Sequence, residues 1–516
     1  MSIEANLQEM EQTREHYWRS YPQTSPIKLR WRALTVRHCF HILPGETVLE
    51  IGAGTGLWTE HLADALRSEN EIAAAVFNRE FAEHPRWNSL RNVRCRLVQS
   101  LDELPAESFD YIVGTAILCH NEYRRNLHIL HRLLKPGGQL MFFENNFWNP
   151  QVFVKTVVPP VGRWWGNASC QVGLRRPEML KAASSAGFSQ VDITPYDIVH
   201  PLLPRRLVAL VQSWAFLFEH TPLVKELCGT LSIRARRPCG TASARAVDLC
   251  EHEQFDGAVS FVIPCYNESA NVRLLAETIT AFYGAYIHEI LFVNDNSTDD
   301  TAAVIRQVCA SDPRVKLIDR PPPNGVGLAL KDGVYAATGR YIFTMDADFV
   351  HILPEFRDLF DAVAGGYDGA VGSRFTLESV MINYPFMKIL GNRGFHFFAN
   401  RLLRCRVHDV SNNLKLFRAE IFQQMSIEEP HFAANAEIGF KAVAGGYRIC
   451  EVPVSWINRT ADMGRSSFRV AGLTPSYFTA LLHLAKWARR REAAPALSGA
   501  DSPPQPGSPA KGVRSL

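Results

Sequence analysis

The stretch FTMDADFVH, residues 343–351, carries two aspartates, Asp346 and Asp348, directly after an apolar run. Residues i and i+2 of an extended chain share a face, so the two carboxylates can converge on one point. Oxygen ligands of this kind suit a hard divalent cation, Mg²⁺ or Mn²⁺. A lone D-x-D pair is common in exposed turns, so its meaning rests on its neighbours. Two earlier segments, AVSFVIPCYNES (258–269) and EILFVNDNSTDD (289–300), also pass from an apolar strand into a polar turn. The second leaves Asp295 at a strand end. All three turns fall on the carboxyl edge of the predicted sheet, where open α/β sheets bind ligands.

A different chemistry is written near the start, in VLEIGAGTG, residues 48–56. It reads strand, glycine turn, helix. Gly52, Gly54 and Gly56 let a ligand approach the backbone closely, and the helix N-terminus that follows offers N–H groups to an anion. A dinucleotide site has G-x-G-x-x-G. Here the third glycine comes one residue early, and the acidic Glu50 precedes the turn.

These motifs must be positioned by elements that recur along the chain. Strand-like and helix-like segments alternate, which predicts an α/β protein with largely parallel sheets. A length of 516 residues argues for two or three domains. The alternation breaks at 236–257, where small and polar residues dominate, and a linker is predicted there. The predicted order is a helical lead-in (1–39), a first α/β domain (40–235), the linker, a second α/β domain (258–470), an amphipathic helix (471–492) and a tail (493–516). The tail is rich in Pro, Ser, Ala and Gly and is expected to be disordered. The net charge of +3 gives no global electrostatic case for nucleic acid, so none is expected as a partner.

The E-x-G-x-G-x-G turn resembles class I S-adenosylmethionine-dependent methyltransferases, which have a Rossmann-like fold. The likeness continues through SFDYIVGTAILCH, LHILHRLLKPGGQLMFFE and RRPEMLKAASSAGFSQVDI, over about 40–235. It implies S-adenosylmethionine as cofactor, held by Glu50, Gly52, Gly54, Gly56 and Asn78. Asn78 stands where the family usually has an acidic residue for the ribose hydroxyls. His120, after the fourth strand, lies where acceptors bind in many relatives.

From about 258 to 470, IPCYNES, VNDNSTDDT, NGVGLALKDGVYAATG, MDAD, VGSRF, HDVSNNLKLFRAEIF and GYRICEVPVSWINRTADMGRSSF follow in order. This set resembles family 2 glycosyltransferases of the GT-A fold, and within them the dolichyl- or polyprenyl-phosphate mannosyltransferase branch. The resemblance implies a nucleotide-sugar donor such as GDP-mannose, with Pro264, Tyr266, Glu268 and Asp295 on the nucleoside. Asp346 and Asp348 would meet the diphosphate through the metal, and Arg374 and Arg459 would pair with phosphates. It implies inverting sugar transfer to a polyprenyl phosphate. A hydroxyl acceptor would need a base, for which Glu437 is the candidate. The branch commonly has a Gln two residues past the second aspartate; here that residue is Val350.

Two readings of the first domain stay open: methyl transfer, making the enzyme bifunctional, or a scaffold without catalysis. PSYFTALLHLAKWARRR, residues 475–491, sets apolar residues on one helical face and ends in arginines. It fits an interfacial helix beside anionic lipid and equally a helix docked on its own domain. PFMKILGNRGFHFFANRLLRCR, residues 385–406, has a similar character. No run reaches the length of a membrane span. The polar, acidic opening is unlike a signal peptide, and the eleven cysteines include no C-x-x-C pair. The expected location is cytoplasmic, peripheral on the cytoplasmic face of a membrane.

Overall fold

The computed structural model describes residues 3–118, 120, 122–158, 160, 162, 171–221, 223–238, 247–376, 378–382, 384–457 and 474–493. Arg459 and the predicted tail lie outside the described residues.

The first domain is built on seven strands: β1 (Thr47–Ile51), β2 (Glu71–Val76), β3 (Val93–Leu97), β4 (Phe109–Thr115), β5 (Leu134–Asn145), β6 (Ser189–Tyr196) and β7 (Thr230–Arg236). They lie in the order β3-β2-β1-β4-β5-β7-β6. Strands β1 to β5 pair in parallel, and β7 runs antiparallel between β5 and β6. Strand order reverses between β1 and β4, so a crevice opens at their carboxyl ends. The glycine turn leaves β1 at that crevice. Helix α1 (Ile3–Ser20) lies over it, α2 (Ser25–Phe40) packs on the sheet, and α3 (Leu57–Ala65) follows the turn.

The second domain has β8 (Val259–Cys265), β9 (Ile287–Asn294), β10 (Val315–Asp319), β11 (Tyr341–Thr344), β12 (Gly369–Ser373), β14 (Lys415–Arg418) and β15 (Ile449–Pro453) in one sheet, ordered β10-β9-β8-β11-β14-β12-β15. Strands β13 (Val380–Ile382) and β16 (Ser455–Ile457) form a small second sheet. Every residue of β8 and of β11 is buried, as expected of parallel strands covered on both faces. Phe261, Phe343, Phe356, Phe360, Tyr283 and Tyr286 fill one side of the sheet. The order reverses between β8 and β11. The aspartates follow β11 just beyond its last residue, Thr344. Both are half-buried there, so neither carboxylate is lost in the core.

The two domains are joined by charge pairs. Arg37 of α2 donates to both oxygens of Asp358 at 2.8 Å, and Arg357 holds Glu69 at 2.7 Å through two N–H groups. Glu355 is buried between His38 at 3.1 Å and His41 at 3.2 Å. Of the segment 236–257, the part from Val247 lies on the second domain. Leu249 enters its core, and the backbone N–H groups of Glu251 and His252 donate to the Tyr286 hydroxyl.

Candidate active site

One cavity of about 480 Å³ opens at the carboxyl edge of the second sheet. Pro264, Tyr266, Glu268, Asp295, Asp346, Asp348 and Arg374 all line it. Residues spread over more than a hundred positions are thus brought together because β8, β9 and β11 are adjacent and parallel.

Their surroundings differ. Asp346 accepts from the Asn413 side-chain amide at 2.7 Å. Asp295 is buried, accepting from the Gly325 N–H at 2.7 Å and from Arg320, so it braces the loop as well as facing the cavity. Arg374 is also buried and lies against Asp409, at 2.7 Å from Nε and 3.1 Å from Nη2, with Ser411 at 3.0 Å. Burial alone would raise the Asp409 carboxyl, but the guanidinium outweighs it and holds the group well below the usual carboxylate range. Arg374 therefore reaches the cavity with much of its charge already answered.

Glu437 is not brought to this cavity. It is fully buried, paired with Lys441 at 2.6 Å, and accepts the backbone N–H groups of Glu428 and Glu429. The expectation of a base at this position is corrected: the carboxylate is committed to closing a turn. Lys415 was not singled out from sequence. It is wholly buried at the start of β14, and burial pushes its ammonium down to about 7 against the pull of Asp409 and Asp346. A lysine opening the apolar strand KLFR was the available signal.

Away from the aspartates the cavity turns apolar. Met387, Phe395 and Phe398 come from the helix Phe386–Leu403, and Tyr477, Phe478 and Leu481 from the helix Thr474–Ala493. The second helix docks on its own domain and leaves part of its apolar surface uncovered. Ala480 and Leu484 are buried against the domain, while Phe478 and Leu482 face solvent.

In the first domain, Gly52, Gly54 and Gly56 all take positive φ, 66°, 60° and 78°, which a glycine adopts without strain. Glu50 is buried, one of its oxygens has no hydrogen-bond partner, and burial pushes it up to about 7. Asn78 caps the short helix Arg79–Ala82, its Oδ1 accepting the Glu80 N–H at 2.8 Å. Its oxygen is spent on starting that helix. His120 is buried and bonded to Asn126 at 2.9 Å, and burial pushes it down to about 4. The crevice itself is taken up by α1. Glu11 accepts from the N–H of Gly54 at 3.0 Å, of Phe77 at 2.9 Å and of Asn78 at 3.0 Å. A side chain built on Gly54 would meet Glu15 at 2.5 Å and Arg14 at 3.0 Å. The residues of the turn suit S-adenosylmethionine by type, but with α1 in place the cradle does not fit it.

Residues 49–140 match the family model of a methyltransferase domain, and residues 260–426 match that of glycosyl transferase family 2. The chain therefore carries a methyltransferase domain followed by a family 2 glycosyltransferase domain. Polyprenol monophosphomannose synthase of Mycolicibacterium smegmatis is 26% identical over 213 residues, 40% of this chain and 80% of that protein. Glycosyltransferase AglD of Haloferax volcanii is 28% identical over 205 residues, 38% of this chain and 33% of that protein, so the match spans a third of its length. Among solved structures, glucosyl-3-phosphoglycerate synthase from Mycobacterium tuberculosis overlaps with a TM-score of 0.35 at 16% identity, covering 44% of this chain and 80% of that one. An S-adenosylmethionine-dependent methyltransferase from Thermotoga maritima overlaps at 0.32 with 17% identity, covering 45% and 99%. Both overlaps are too slight to carry anything about chemistry.

Proposed function

We propose that the second domain transfers a sugar from a nucleotide-diphosphate donor to a polyprenyl phosphate at a membrane surface. The carrying observation is the two-part cavity. One part presents Glu268, Asp295, Asp346 and Asp348; another is apolar and walled by two helices; Arg374 also lines the cavity. A donor and an isoprenoid acceptor need those two parts. GDP-mannose is the first donor to try, because the relative from M. smegmatis is named for mannose.

Asp346 and Asp348 offer the oxygen ligands a divalent cation prefers. Such an ion, when bound, would stabilise the charge that gathers on the departing nucleotide diphosphate. An oxygen of the acceptor phosphate attacks the anomeric carbon from the opposite face, inverting it. The bond to the diphosphate breaks, and the diphosphate leaves with the electron pair. The acceptor is already anionic at neutral pH, so no base is required. The commitment of Glu437 to Lys441 favours this acceptor over a hydroxyl.

The surface around the apolar part supports peripheral membrane contact. Met387, Leu390, Phe397, Phe398, Phe478 and Leu482 are exposed there. Arg401, Arg404, Arg406, Lys486, Arg489 and Arg490 are exposed on the same two helices and the turn after the first. Aromatic and aliphatic side chains beside a cationic rim suit an anionic bilayer. Among the described residues no helix is long and apolar enough to cross one. The first domain serves as a support, through the charge pairs that join it to the second.

The test is transfer of labelled sugar from a nucleotide donor, with Mn²⁺ or Mg²⁺, into material extracted by organic solvent. Label should follow a polyprenyl phosphate. Equal transfer to the polyprenol lacking its phosphate, or none with any of the common nucleotide sugars, would sink the reading.

A further inference from the structure

Helix α1 makes contacts unlike those of a simple lead-in. It places three charged side chains, Glu11, Arg14 and Glu15, all buried, across the crevice where strand order reverses. The two Glu11 oxygens join the ends of two strands: one takes the Gly54 N–H after β1, the other the Phe77 and Asn78 N–H groups after β2. Arg14 donates to the Thr115 carbonyl at the end of β4, 3.3 Å away. Glu15 accepts from the Thr55 N–H at 3.4 Å and from the Thr55 hydroxyl.

These are the strand ends and N–H donors that a ligand in this crevice has available. A buried backbone N–H must find an acceptor, and here the acceptors come from the chain itself. The space left by the missing side chains is also filled, since a Cβ on Gly52 would meet Arg14 at 3.3 Å and one on Gly54 would meet Glu15 at 2.5 Å. The helix is anchored around these contacts. Leu7 and Met10 enter one hydrophobic cluster, Trp18 enters another, and the Arg32 guanidinium lies 5.0 Å above the Trp18 ring.

We propose that α1 is the resident occupant of the cofactor crevice, and that the Glu11 and Glu15 carboxylates exclude S-adenosylmethionine from it. Backbone N–H groups offset part of the cost of burying these carboxyls, as they would for a ligand carboxylate. The fraction of molecules with α1 displaced sets the apparent affinity, which falls in proportion to that fraction. The conclusion stands apart from sugar transfer in the second domain and is tested without it.

Isothermal titration of the full chain with S-adenosylmethionine is the first measurement, and hydrogen exchange over residues 3–20 is the second. The wild-type chain is expected to show no saturable binding below millimolar cofactor. A chain carrying Glu11→Ala and Glu15→Ala is expected to bind at least about tenfold more tightly. Should that pair unfold the domain, Glu11→Gln with Glu15→Gln keeps the volume and lowers the charge. Binding by the wild type that exposes α1 to exchange also supports the proposal, because cofactor and helix then compete. Two outcomes overturn it: tight binding by the wild type with α1 still protected, or no binding by any folded variant.

Discussion

At the scale of single residues, Asp348 and Asp409 separate a chemical role from a structural one. Asp348→Asn removes a charged oxygen ligand from a half-buried position at the cavity and should leave the fold intact. Metal-dependent sugar transfer should fall on the order of a hundredfold or more, the scale lost when one stabiliser of developing charge is removed. Transfer at the wild-type rate across a Mn²⁺ titration would remove the aspartate pair from the proposed site. Asp409→Asn should act on stability instead. It leaves Arg374 buried against a neutral partner, and breaking a buried pair from one side costs roughly 3–5 kcal/mol. Urea unfolding of the variant checks this, and an unchanged midpoint would mean that water or another group answers the guanidinium. The aspartates and the glycine turn were legible in the sequence because the spacing that matters is local, two residues or a single turn. Glu11 was not legible. Its partners Gly54 and Phe77 lie 43 and 66 residues away, and a glutamate on an amphipathic lead-in helix looks like any solvated charge. Glu437 misled for the converse reason, because a carboxylate in a motif does not show which way its helix faces.

At the scale of elements, the helices Phe386–Leu403 and Thr474–Ala493 each have two faces with different duties. The inner faces wall the apolar arm of the cavity and pack through Phe395, Ala399, Ala480 and Leu484. The outer faces expose Phe397 and Leu482, while Phe398 and Phe478 are exposed and also line the cavity. The sequence showed the apolar residues but not this partition, because a 3.6-residue period marks a stripe and not what covers it. Deleting the terminal helix would therefore remove cavity wall along with any lipid contact, and the two effects could not be separated. Phe397→Glu with Leu482→Glu is the cleaner change, since neither side chain lines the cavity. Both positions are exposed, so folding should be little affected. Each buried large apolar side chain is worth about 1.5–3 kcal/mol, so affinity for anionic vesicles should fall at least about tenfold. Added salt should weaken the wild type too, since charges near the lipid are screened within a Debye length. Sedimentation with vesicles measures both. Equal binding by variant and wild type would make the exposed face irrelevant to membranes.

At the scale of the whole molecule, buried carboxyls at the domain interface and in the first domain's crevice pull stability in opposite directions as pH changes. Burial would raise the Glu355 carboxyl at the interface, but His38 and His41 beside it hold it well below the ordinary range. A carboxyl whose folded pKa lies below its unfolded value stabilises the protein above the unfolded pKa, about 4.3. That contribution is lost as pH falls further. In the cofactor crevice the sign is reversed. Burial pushes both Glu11 and Glu50 up to about 7. For these groups the folded state binds the proton more tightly, so their contribution is full below about pH 4.3 and is lost as pH rises through about 7. None of this was visible in the sequence, where Glu50 reads as a cofactor residue beside the glycine turn rather than as a buried acid, and the interface leaves no periodic signature. The expected profile is a maximum of stability on the acid side of neutrality. It should fall below about pH 4 as Glu355 gains its proton, and fall on the other side between about pH 4.5 and about 7 as the crevice carboxyls lose theirs. Glu50→Gln tests the second limb. It removes one titration with little change in volume, and a shift from 4.5 to about 7 corresponds to about 3 kcal/mol at alkaline pH. Thermal unfolding of the variant between pH 5 and pH 8 should be flatter than that of the wild type, with the two converging at the acid end. Because charge pairs such as Arg37–Asp358 and Arg357–Glu69 cross the interface, the change should move the main transition rather than split off a first-domain step. Parallel profiles for the two proteins would mean that Glu50 stays ionised beside Arg14, and Glu50 would then contribute nothing to the alkaline limb.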